Sequence, residues 1–116
     1  MIGSTAVWSL NNFRPNLSMK RDVALARLKF YEHRLRERGI SALYLFGSTA
    51  RDESSESSDL DLLFEYDEGG GLSLFDQAGA MLDLSDGLGA KINLISRVSL
   101  RPRVRARVER EMVQVF

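Results

Sequence analysis

The chain has 116 residues, 16 basic against 16 acidic, with 44% of them apolar and no cysteine. That suffices for one hydrophobic core and not two, excludes a disulfide framework or thiolate metal site, and gives no whole-molecule attraction to nucleic acid. No apolar run approaches the roughly 18 residues that cross a membrane and no basic-then-apolar signal opens the chain, so a cytoplasmic location is expected.

Residues 1–16 read as a loose leader, with Pro15 interrupting any helix, and residues 17–116 as a single domain. Ser18 can cap a helix over residues 19–38, with Gly39 ending it. Met19, Val23, Ala26 and Phe30 fall at helical spacing as its buried stripe, widened by Leu28, Tyr31 and Leu35. The single histidine, His33, stands among charged residues there and reads as a surface side chain. Residues 40–46 form a first strand, residues 52–58 a loop too polar to pack, and residues 59–66 a second strand. After the break at Gly69-Gly70-Gly71 comes a helix over residues 73–84. Its Leu74, Phe75, Ala78, Met81 and Leu82 are expected to face inward, with Gly87 and Gly89 ending it. Residues 90–95 make a third strand, and Pro102 permits a last helix to residue 112. The order of elements is that of a small α/β domain.

The chemistry concentrates between the first two strands. Gly47 lacks a side chain, so a phosphate can approach its backbone and the turn can adopt unusual dihedrals. Ser48 offers a hydroxyl and an N–H, and Thr49-Ala50-Arg51 can begin a short helix whose free N–H groups face an anion. The Arg51 fork suits phosphate oxygens. Asp59 and Asp61 alternate on the second strand, so they project to one side roughly 6.5–7 Å apart at the backbone. Such oxygen ligands suit Mg²⁺, which completes its octahedron with water and substrate phosphates. Together these features predict a metal-dependent nucleotidyltransferase.

Gly47-Ser48-Thr49-Ala50-Arg51 and Ser58-Asp59-Leu60-Asp61-Leu62 resemble the signature of the DNA polymerase β-like nucleotidyltransferases, in particular the minimal nucleotidyltransferases (MNT). The likeness runs from about Arg21 through the third strand, the Arg97 turn and Leu100-Arg101-Pro102-Arg103 to the C-terminus. It implies a small mixed β-sheet with helices packed mainly on one face. It also implies phosphate binding at Gly47 and Ser48 and magnesium binding at Asp59 and Asp61. The activity implied is AMP transfer from ATP to a hydroxyl, most simply a tyrosine of a HEPN-domain ribonuclease toxin, which makes the chain an antitoxin. A domain this small lacks the module that grips an RNA or antibiotic acceptor in larger relatives, so direct nucleic-acid binding is not expected.

One position departs from the pattern. The family places a third carboxylate on the third strand, and Ile92-Asn93-Leu94 carries an amide. An amide brings no charge and cannot act as a general base. An alternative reading is therefore a catalytically weakened fold that neutralises its partner by binding alone. Glu65 shares strand parity with the aspartates as a conceivable substitute. Lys91, Arg97, Arg101, Arg103, Arg105, Arg107 and Arg110 crowd basic charge into the last quarter, either as a solvated helix face or as a docking surface.

Overall fold

A computed structural model describes residues 19–55 and 59–116; the leader, the Ser18 cap and residues 56–58 lie outside the described residues. The helices are α1 (Arg21–Lys29), α2 (Glu32–Glu37), α3 (Gly47–Ala50), α4 (Leu74–Leu88) and α5 (Pro102–Glu111). Four strands, β1 (Ile40–Phe46), β2 (Leu60–Tyr66), β3 (Ile92–Ser96) and β4 (Val113–Gln114), form one sheet in the order β3-β2-β1-β4. β1 runs antiparallel to β2 and β4, while β2 and β3 run parallel. The expected mixed sheet is present, with its main helical layer on one face.

Strand alternation decides which side is which. Leu43, Leu45, Leu62 and Phe64 point into a core shared with Ala24 and Leu28 of α1, Leu35 of α2, and Ala80, Leu84 and Leu88 of α4. Tyr44, Phe46, Asp61 and Glu65 have the opposite parity and stay partly exposed. That second face carries the polar chemistry.

The helices differ from expectation in length and facing. Instead of one helix, α1 and α2 are separated at Phe30 and Tyr31, where the Tyr31 N–H donates to the Leu28 carbonyl three residues back. The break carries Tyr31 toward α4, where its hydroxyl fills the space a Cβ would take at Gly87. Gly87 is therefore a packing residue inside α4 and not its end; the helix ends at Gly89, φ 65°. Gly79 likewise faces the Arg38 guanidinium. With Ala80, Leu84 and Leu88 buried against the sheet, the expected inner face of α4 points outward. Leu74 is 83% exposed, Phe75 89% and Leu82 59%. In α1, Ala24 and Leu28 are buried, whereas Val23 and Ala26, and Phe30 just past its end, are exposed.

β4 was not expected. Its extension is fixed to β1 by main-chain bonds, the Leu43 N–H donating to the Phe116 carbonyl at 3.0 Å and the Val115 N–H to the Leu43 carbonyl at 2.8 Å. Phe116 is buried, with the Arg36 guanidinium 4.8 Å from its ring centre.

Candidate active site

β1 ends at Phe46, and the chain turns at Gly47 with φ 77°. L side chains rarely adopt that conformation. A Cβ at this position would also collide with Asp61 Oδ2 and sit 3.1 Å from Asp61 Cγ. The cause is register: Phe46 is opposite Asp61, so the β2 carboxylate lies against the turn that follows β1.

The parallel ladder then brings Asn93 of β3 beside Asp61. Its Nδ2 donates to Asp61 Oδ1 at 2.9 Å and to Asp59 Oδ2 at 3.3 Å. Carboxylates only accept, which sets the amide with its nitrogen toward them. Asp59, one residue ahead of β2, and Asp61 thus converge on the Asn93 amide nitrogen. A site within reach of two carboxylate oxygens suits a hard cation whose remaining positions go to water and phosphate. Among the described residues no third carboxylate joins them. Glu65 does not substitute, because its Oε2 accepts the Tyr44 hydroxyl at 2.5 Å and Arg97 Nη1 at 3.1 Å.

Beside the aspartates lies an open cleft of about 380 Å³ lined by Phe46, Gly47, Arg51, Asp61, Arg107, Val108 and Glu111. Ser48, half-buried on α3, and Asp59 and Asn93 flank this cleft without lining it. Arg51 caps the C-terminus of α3 and is held by two acids. Its Nε donates to Glu53 at 2.9 Å, and its Nη1 reaches both Glu111 oxygens at 3.1 and 3.0 Å. Glu53 first, then Glu111, raise the Arg51 guanidinium above its ordinary pKa. Glu111 Oε1 also accepts the Gly47 N–H at 3.4 Å.

Arg107 and Glu111, one turn apart on α5, were missed as site residues in the sequence. Their only signal was position after the third strand, in a segment whose charges read equally well as a solvated face. α5 is fastened over this side of the sheet by Arg97, which donates to Glu109 Oε2 through Nε at 2.9 Å and to Glu65 through Nη1. The same Arg97 guanidinium lies 5.5 Å from the Tyr44 ring centre. Tyr44 is raised above the ordinary tyrosine pKa, chiefly by its hydrogen bond to Glu65 and then by burial.

A glycine–serine turn set against paired aspartates on the neighbouring strand of a mixed sheet is the arrangement of a nucleotidyltransferase. The chain belongs to the family described as polymerase beta, nucleotidyltransferase, which it matches over residues 31–116. It is 34% identical over 89 residues to the protein adenylyltransferase MntA of Thermococcus cleftensis, covering 76% of this chain and 88% of that one. A solved structure described as a "putative minimal nucleotidyltransferase" is 36% identical and superposes with a TM-score of 0.72, covering 82% of this chain and 95% of the other. At 18% identity, a TM-score of 0.55 and coverage of 76% and 68%, the fold is also that of the MNT antitoxin solved with a tri-AMPylated HEPN toxin of Shewanella oneidensis.

Proposed function

We propose that this chain is an Mg²⁺-dependent adenylyltransferase that moves AMP from ATP to the tyrosine hydroxyl of a HEPN-domain ribonuclease toxin, and so acts as its antitoxin. The observation that carries the reading is the convergence of Asp59 and Asp61 on the Asn93 amide nitrogen beside the Gly47 turn. The name of the 34%-identical MntA supports adenylyl transfer, and the HEPN complex of a fold neighbour supports the partner class.

Asp59 and Asp61 would hold the magnesium, which when bound offsets charge on the phosphates. Gly47 leaves room for phosphate oxygens, and the Ser48 hydroxyl and Arg51 guanidinium donate to them. The acceptor oxygen bonds to the α-phosphorus as the bond to the β-phosphate bridging oxygen breaks, and pyrophosphate leaves. Asn93 cannot take the acceptor's proton. In this chain that proton passes to solvent or to a base on the acceptor protein.

Asn93 is also the observation that favours a second reading, inhibition by binding alone. Incubating the chain with labelled ATP, Mg²⁺ and a HEPN-domain ribonuclease toxin, the product of the neighbouring gene where that is one, separates the two. Label on the partner that disappears with Asp59→Ala/Asp61→Ala supports transfer. An unlabelled but inhibited partner supports binding alone and rejects the enzymatic reading.

A further inference from the structure

Arg51 and the Gly47 N–H are the two donors on this cleft best placed for a phosphate, and both already hold an anion. It is the Glu111 carboxylate, with one oxygen 3.4 Å from the Gly47 nitrogen and both oxygens within 3.1 Å of Arg51 Nη1. The contact spans 64 residues of chain and closes the last turn of α5 onto the turn after β1. It is not an incidental surface pair, because the Glu111 side chain is only 27% exposed. Four charged side chains line the cleft, Arg51 and Arg107 against Asp61 and Glu111, so its lining is neutral. Arg107 has no ion-pair partner among the described residues, which leaves Arg51 as the cation that Glu111 neutralises.

We propose that Glu111 is an internal competitor for the phosphate seat, an affinity-determining residue whose carboxylate must leave Arg51 and Gly47 before a nucleotide triphosphate can occupy them. This rests on the reading of the cleft as the nucleotide site. The competition follows from the donors: the Gly47 N–H has one hydrogen to give, and of the Arg51 fork Nε is held by Glu53 and Nη1 by the two Glu111 oxygens, which leaves Nη2 alone for a phosphate. A phosphate arriving there meets a like charge as well as an occupied seat. Glu111→Gln keeps the size and an acceptor oxygen, so Gly47 and Arg51 remain satisfied in the empty protein. It removes the charge, leaving a weaker occupant and a lining that is net positive. With Arg51 about half exposed the pair is screened by water, so its release is expected to change affinity by no more than roughly fivefold.

The test is the dissociation constant of MgATP for the full chain, measured by calorimetry at low salt. Glu111→Gln is expected to bind about two- to fivefold more tightly than the parent. Asp86→Asn, which removes the same charge from an exposed position on α4 outside the cleft lining, is expected to bind as the parent does. In an Arg51→Ala background the gain from Glu111→Gln should shrink, leaving only the part due to the Gly47 N–H and the removed charge. Parental or weaker binding by a folded Glu111→Gln protein overturns the inference while leaving the nucleotide site intact, and so does an equal gain in Asp86→Asn. If neither parent nor variant binds MgATP at millimolar concentration, the reading of the cleft itself fails and the inference falls with it.

Discussion

Replacing Asn93 with aspartate tests the geometry of the site through stability as well as activity. The change is nearly isosteric, but it exchanges a donor for a third acceptor at 2.9 Å from Asp61 Oδ1 and 3.3 Å from Asp59 Oδ2. Two unit charges about 3 Å apart repel by roughly 1.4 kcal/mol even at the dielectric of water, and more in a partly buried site. Two such repulsions amount to about 3 kcal/mol, and the lost hydrogen bonds add to this. For a domain of this size that lowers the melting temperature by roughly 10–20 °C in EDTA. Magnesium should reverse the sign, since three carboxylates around one point bind a divalent cation better than two, and binding to the folded state stabilises it. Melting curves followed by circular dichroism, with EDTA and with millimolar Mg²⁺, read both effects. Asn93→Asp should start lower than the parent and gain far more from Mg²⁺, and its transfer of labelled AMP should rise. A variant that melts with the parent in EDTA and gains no more from magnesium would falsify the convergence on which the site is built.

Gly47→Ala is expected to lose nucleotide binding and about 1–3 kcal/mol of stability, from the strained backbone and the collision with Asp61; calorimetry and urea titration measure the two losses. Leu84→Ala should cost about 2–5 kcal/mol in urea unfolding, whereas Leu82→Asp, on the outward face of α4, should change stability by no more than about 0.5 kcal/mol. Equal costs would mean that the facing of α4 is wrong. Because Tyr44 is raised above the usual value of about 10, its contribution to stability is complete below that pH and is lost as pH climbs through the folded-state value. Tyr44→Phe should therefore flatten the alkaline fall in urea midpoint.

The contrast between what could and could not be read in the sequence has a physical pattern. β1 was legible to the residue because Ile40–Phe46 is a short apolar run stopped by glycine. The placement of Asp61 against Gly47 followed from a hairpin register that alternation enforces. α4 misled because it carries two apolar faces. Leu74, Phe75, Ala78, Met81 and Leu82 form the larger, but the sheet takes the smaller, Ala80, Leu84 and Leu88. Polar contacts decide between them: Gln77 donates to the Leu94 carbonyl, Ser85 to the Ala90 carbonyl, and Arg38 reaches Asp83. A hydrophobicity pattern counts those three residues against the inner face, whereas in the fold they fix it. Glu111 was illegible for a related reason. Its partners are 60 and 64 residues away, joined only after β4 has drawn the end of the chain back along β1. The two-residue strand that sequence patterns passed over is therefore what returns the C-terminal segment to the edge of the sheet beside the Gly47 turn, and α5, immediately before it, is left with Glu111 over Arg51.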